Sequence, residues 1–209
     1  MIFRIFSYLA YMASRDLFLI LLLIFFRFRV EGRENLPKKG PFIFASNHVS
    51  YLDPGVLGGA STRRLYFITG DHLYKNIFAA AWYNSTGCIR IRRNEADHHA
   101  IRKILDCLKK GKPVAMFPEG TRSPDGKMQD AFTGIGFLAL KANVPVVPCL
   151  IKGSERAFGR HDKFFRFTGV KAYIGKPIQP IEARSGSDKK EARRVFSTTV
   201  MEAIVSLDR

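Results

Sequence analysis

Two short stretches of this chain hold the residue types from which acid–base chemistry and anion recognition are built. In the first, Asn47-His48-Val49-Ser50-Tyr51-Leu52-Asp53, a histidine and an aspartate lie five positions apart. Imidazole titrates near neutral pH, and a carboxylate accepting from one ring nitrogen fixes the tautomer and stabilises the imidazolium. The other nitrogen is then free to take a proton from a hydroxyl. Five residues is too long a step for neighbours on one helix face, so the pairing needs a compact turn that folds Asp53 back onto His48. The plainer reading makes His48 a polar turn residue and Asp53 a helix cap before Pro54. The two readings are compatible, because a carboxylate has two oxygens. The remaining histidines have no such setting: His98 and His99 open an amphipathic stretch, and His72 and His161 sit in polar loops.

The second stretch is Phe117-Pro118-Glu119-Gly120-Thr121-Arg122-Ser123. A carboxylate, a flexible glycine and a planar cation this close together suit a substrate with hydroxyls and a phosphate. The carboxylate accepts from the hydroxyls and the guanidinium grips phosphate bidentately. A surface turn with a local Glu119–Arg122 pair is the alternative. A third group, Arg90, Arg92 and Arg93, follows Gly87; strand alternation sends Arg90 and Arg92 to one face and Arg93 to the other, so only part of it enters one site. Cys88, Cys107 and Cys149 form neither a CxxC pair nor a zinc spacing with histidine, which predicts no metal site and reduced thiols on the cytoplasmic side.

The elements that must position these residues read as an α/β domain, with a mixed, largely parallel sheet flanked by helices. Short apolar runs predict strands at 42–45, 64–69, 89–91, 114–117, 146–151 and 170–174. Helices are expected from Asp53, with Asp53 at the cap and Pro54 in the first turn, and over 73–83, 97–110 and 134–142. A last helix starts at Asp188, with Glu191 as a capping partner and Val195, Phe196, Val200, Ala203, Ile204 and Leu207 facing inward. His48 then falls at a strand-to-helix turn, and the Glu119 block falls just beyond a strand.

Residues 1–30 differ from the domain over 31–209. Ile2, Phe3, Ile5, Phe6, Leu9 and Met12 recur at helical spacing, Arg15 and Asp16 interrupt, and 17–26 run apolar without a break. Ten unbroken apolar residues are about half of what a bilayer crossing needs. The pattern predicts a pair of membrane-associated helices lying in one leaflet, with Arg4, Arg15, Arg27 and Arg29 reaching lipid phosphates; a pair of core helices is the alternative. Lys and Arg number 34 against 18 Asp and Glu in 209 residues, a formal charge of +16, which favours an anionic partner. A nucleic-acid-binding module would share that charge. However, no zinc-finger spacing or RNA-recognition aromatic block is present, and the apolar N-terminus would serve no purpose there. No nucleic acid is expected.

Taken in order, Asn47-His48 with Asp53, Gly87 with Ile91 and Arg93, the Phe117–Ser123 block, and Val144-Pro145-Val146-Val147-Pro148 resemble the glycerolipid acyltransferases of the bacterial 1-acylglycerol-3-phosphate acyltransferase type. The resemblance covers residues 42–151, about half of the chain. It implies an enzyme of phospholipid synthesis at the cytoplasmic face of the inner membrane, with acyl-CoA or acyl-carrier protein as donor and a lysophospholipid, lysophosphatidic acid, as acceptor. His48 would be the general base and Asp53 its partner. Arg93, Glu119 and Arg122, with Gly120 and Thr121 between them, would hold the acceptor's glycerol and phosphate, and the valine block would wall the acyl chain. No metal or redox cofactor is implied, since a thioester is already activated.

The chain departs from that pattern at Gly70, where many relatives carry lysine, and at Ile77 and Ala80, which replace a Pro-x-x-Gly. Lys75 or Arg64 could restore the charge, and another lysolipid or an amino-lipid acceptor is the alternative to lysophosphatidic acid. A thioesterase or esterase is the remaining enzymatic alternative, with Ser50 or Cys149 as the suspect nucleophile, although no Gly-x-Ser-x-Gly elbow is present.

Overall fold

The computed structural model describes residues 2–92, 97–126, 128–129, 132–180 and 188–208, and of residues 2–4 the backbone alone. In chain order the elements are α1 (Ile2–Phe26), β1 (Arg29–Glu31), β2 (Ile43–Ser46), α2 (Asp53–Ala60), β3 (Tyr66–Gly70), α3 (Ile77–Thr86), β4 (Ile89–Ile91) and α4 (His98–Lys109). They continue with β5 (Val114–Met116), α5 (Gly134–Ala142), β6 (Val146–Lys152), α6 (Ser154–Phe158), β7 (Lys171–Ile174) and α7 (Lys189–Val205). The described strands form one sheet in the order β1-β7-β6-β2-β5-β3-β4, parallel throughout except for the antiparallel β6–β7 pair. The expected mixed, largely parallel α/β sheet is therefore present.

Strand β2 explains the layering. All four of its residues are buried, and the pleat sends alternate side chains to opposite faces. Phe42 and Phe44 pack with Val56, Leu57, Leu22 and Phe26 beneath α1 and α2. Ile43 and Ala45 pack with Ile104, Leu108, Ile135 and Ile204 beneath α4, α5 and α7. A continuous apolar run is what a parallel strand covered on both faces requires. The Val144–Pro148 block behaves the same way: Val144 and Val146 join one cluster, and Val147 the other.

Four local expectations are corrected. The N-terminal segment is one helix, not a pair: Arg15 donates to Asp16 at 2.6 Å, and a charged pair without Gly or Pro does not break a helix. Asp53 is the first residue of α2 rather than its cap; Leu52 holds the cap position, with no side-chain cap bond. In α7, Asp188 caps by accepting from Lys190, and Glu191 pairs with Arg194 instead of closing a capping box. Val195 faces solvent.

Helix α1 lies along the domain from Ser7 to Phe26. Ser7 accepts from Arg64 at 2.7 Å, the Tyr11 hydroxyl from the Leu65 amide at 3.1 Å, and Ser14 from the Trp82 indole at 3.1 Å. Farther on, Leu22 and Phe26 enter the core. These contacts recur every three to four residues and so share one stripe. Close approach depends on Gly55 of α2, where a Cβ would lie 1.9 Å from the Phe18 ring.

Candidate active site

The carboxyl ends of the adjacent central strands β6, β2 and β5 converge, the usual place for a site in an open α/β sheet. One residue past β2, the Asn47 side chain donates to the Ile151 carbonyl at 3.0 Å and accepts from the Ile151 amide at 2.8 Å, which ties the turn to β6. The next residue is His48. Its amide donates to Glu119 Oε1 at 2.7 Å and its carbonyl accepts from the Ser123 amide at 2.8 Å, so the loop after β5 holds it by both backbone groups.

The imidazole packs face to face on Phe117, with ring centroids 3.9 Å apart and 14° between planes. Its Nδ1 lies 2.9 Å from Asp53 Oδ2. The same Oδ2 accepts from the amides of Val49 at 2.7 Å and Ser50 at 2.8 Å, and Oδ1 accepts from the Ser154 hydroxyl at 2.7 Å. Asp53 is fully buried, while the His48 side chain keeps 14% of its surface open. An ionised carboxylate only accepts, so the proton of this pair sits on Nδ1, and Nε2 carries the free lone pair. The first turn of α2 adds the positive end of a helix beneath the carboxylate. The arrangement locks the orientation of the ring and gives any positive charge on it a fixed counterpart.

Glu119 is the second carboxylate. It is almost wholly buried; one oxygen accepts from His48 and the other from the Gln129 amide at 3.1 Å. Burial raises its pKa from the ordinary 4.5 to about 7; the nearby Asp53 charge also raises it, and the two backbone donors pull the other way. It links the β2 turn to two parts of the loop after β5. Gly120 follows at φ +67°, where a Cβ would lie 2.9 Å from the Phe132 ring. Thr121 is half-buried in the same turn. Arg122 lays its guanidinium 3.4 Å from the Tyr51 ring centroid. Its Nη1 is buried without an acceptor among the described residues, so one strong donor is left for an anion.

The structure thus brings together His48, Asp53, Glu119, Gly120, Thr121 and Arg122. Arg93 lies outside the described residues. Arg90 is exposed over the Tyr74 ring. Of the two cations considered in place of a lysine at Gly70, Lys75 is exposed, and Arg64 bonds Ser7 and the Thr86 carbonyl, joining α1 to α3.

Sequence reasoning missed Ser154, which reaches Asp53 across about half the chain. It named Asn47 and Phe117 without giving them roles. Ser154 lies two residues past the end of β6, and a small hydroxyl residue after a central strand beside the His48 turn is the one signal that could have marked it. Neither suspect nucleophile is poised to attack. Ser50 is buried and donates to the Phe158 carbonyl at 2.6 Å, and burial pushes the Cys149 thiol far above its ordinary range.

A family model described as acyltransferase matches residues 27–152, a span that includes His48, Asp53, Glu119 and Arg122. The chain is 29% identical over 163 residues to a chloroplast 1-acyl-sn-glycerol-3-phosphate acyltransferase of Arabidopsis thaliana, covering 76% of this chain and 46% of that protein. It is 25% identical over 152 residues to the 1-acyl-sn-glycerol-3-phosphate acyltransferase of Bacillus subtilis, covering 72% of this chain and 73% of that protein. Among solved structures, the 1-acyl-sn-glycerophosphate acyltransferase of Thermotoga maritima matches with a TM-score of 0.71 at 28% identity, covering 87% of this chain and 70% of the other. The chain spans about half the length of the plant relatives it matches.

Proposed function

From the premise that this chain belongs to the acyltransferase family, we propose that it transfers a fatty acyl group from acyl-CoA or acyl-carrier protein to the free hydroxyl of 1-acyl-sn-glycerol-3-phosphate, giving phosphatidic acid. The names of its relatives support that acceptor. The observation that carries the chemistry is the 2.9 Å contact between His48 Nδ1 and the buried Asp53 carboxylate, because it leaves Nε2 to act as the base on a ring that is still partly open to solvent.

In this reading the Nε2 lone pair takes the acceptor's hydroxyl proton as its oxygen attacks the thioester carbonyl. Asp53 stabilises the imidazolium that forms. The tetrahedral intermediate collapses by breaking the carbon–sulfur bond, and the imidazolium returns its proton to the departing sulfur. The unpaired Nη1 of Arg122 meets the acceptor phosphate. Arg93, Glu119, Gly120 and Thr121 complete the acceptor site, Glu119 chiefly by holding His48 and the following loop in register.

We further propose that the protein works on one leaflet at the cytoplasmic face of the inner membrane. Helix α1 is long and apolar enough to cross, with a hydropathy of 2.0 over Ile5–Phe26. Crossing while docked from Ser7 to Phe26 would carry α2 and α3 into the hydrocarbon. The flat docking and the apolar outer stripe of Leu17, Ile20, Leu23 and Ile24 favour a helix lying in the interface.

The test is purified protein with a labelled thioester donor and a panel of lysolipids, the products resolved by mass. Phosphatidic acid is expected from the wild type, and His48→Ala should lose about a thousandfold of that activity. Undiminished transfer by the variant would overturn the mechanism. Free fatty acid as the sole product would overturn the acceptor.

A further inference from the structure

The apolar surface of α1 does not stop at its last turn. Beyond α6, residues 159–169 carry Phe164, Phe165 and Phe167 with 80%, 54% and 71% of their surfaces exposed. The loop is not loose, since its backbone is pinned at both ends. The Gly159 amide donates to Asp162 Oδ2 at 2.9 Å, the Arg166 amide to the Ala157 carbonyl at 2.8 Å, and the Thr168 hydroxyl to the Gly153 carbonyl at 3.4 Å. Three phenylalanines are therefore held out toward solvent by a fixed scaffold, which for a face bathed in water is unfavourable.

Two neighbours give the loop its direction. Phe167 stacks on Phe25 of α1 with ring centroids 5.3 Å apart, and Phe165 meets Phe26 at 6.3 Å, so the loop extends the outer stripe of α1. On its other side Phe165 contacts Phe158 at 4.3 Å, and Phe158 contacts Tyr51 at 5.3 Å, the ring on which Arg122 rests. Arg160 donates to the Arg122 carbonyl at 2.7 Å. Charge is interleaved with the rings: Arg160, Lys163 and Arg166 face one acid, Asp162, which is already paired with Arg166 at 2.8 Å. Exposed Arg27 and Arg29 flank the same end of α1. Rings alternating with cations match the boundary between acyl chains and anionic headgroups.

We propose that residues 159–169 form a second bilayer contact, with Phe164 and Phe167 inserted among the acyl chains of an anionic leaflet and Arg160 and Lys163 on its phosphates. The mouth of the His48 site is thereby seated at headgroup level. The proposal rests on the one-leaflet reading of α1 and adds a separate point of attachment that links the membrane to the anion-binding side of the site.

The test uses the full chain without turnover, so it is independent of which lipid is acylated. Phe164→Trp in a Trp82→Phe background places one indole on the loop. On vesicles of phosphatidylglycerol and phosphatidylethanolamine with brominated acyl chains, its fluorescence should be quenched. Phe164→Ser with Phe167→Ser should weaken partitioning to the same vesicles by roughly a hundredfold. Bound protein with an unquenched indole, or unchanged partitioning of the double variant, overturns the loop contact and leaves α1 as the attachment. A chain that binds no vesicles overturns both. An indole that responds to acyl-carrier protein but not to brominated lipid gives the surface to the carrier and also overturns the proposal.

Discussion

Asp53 and Glu119 are carboxylates shut away from water in the same site, yet they are held differently. Asp53 collects donors from three directions: an imidazole, two amides of its own turn, and a hydroxyl from just beyond the end of β6. Among the described residues Glu119 accepts from two backbone amides, and burial outweighs them enough to bring its titration to about 7. The difference separates two settings of a buried acid. One has its charge fixed by many donors, the His48 ring among them; the other ties loops together and titrates close to neutrality, where its charge is readily given up.

The largest effect that can test this division is at Asp53. Asp53→Asn keeps the shape but offers an amide where the ring needs an acceptor, so kcat should fall by about a thousandfold with little change in KM. A loss confined to KM would make Asp53 a substrate-binding group instead.

Glu119 should show itself in stability. Its folded pKa is raised, so the folded chain holds a proton that the unfolded chain has lost once pH exceeds 4.5. Stability is then fullest below about pH 4.5 and declines as pH rises through about 7, by up to about 3 kcal/mol from this residue. Denaturant titrations across that window should show the decline in the wild type and its absence in Glu119→Gln; equal slopes would mean that the group titrates elsewhere.

The smallest effect belongs to Ser154. Ser154→Ala removes one donor to Asp53 and should cost activity about tenfold or less. The carboxylate, less neutralised, holds the imidazolium more firmly, so the acid limb of the kcat/KM profile moves to higher pH. Ser154→Thr should restore it, and a stability loss with an unmoved profile would make the hydroxyl purely architectural.

The parts of the site that were legible were those written locally. His48 and Asp53 are five positions apart, and one turn joins them; the Glu119 block is contiguous. The role of Glu119 was not legible, because its partners, the amides of His48 and Gln129, are backbone groups whose positions depend on sheet order. Ser154 stayed hidden for the same reason: β6 lies beside β2 only once the crossovers are made. Continuous apolar runs made the central strands readable, β2 and β6 being buried along nearly all their length, whereas β1, three residues long and largely exposed, left no apolar run to find. The N-terminal break was misjudged because charge marks where a helix meets water, and that is a weaker constraint than backbone geometry.

The docking of α1 has a practical corollary. Leu22 and Phe26 fill the interior above Val56, Leu57 and Phe44, so α1 is also a structural lid. Shortening the chain to begin at Glu31 would not yield a detergent-free catalytic fragment. It would bare that apolar floor, and the product should aggregate during purification even after losing most of its greasy exterior.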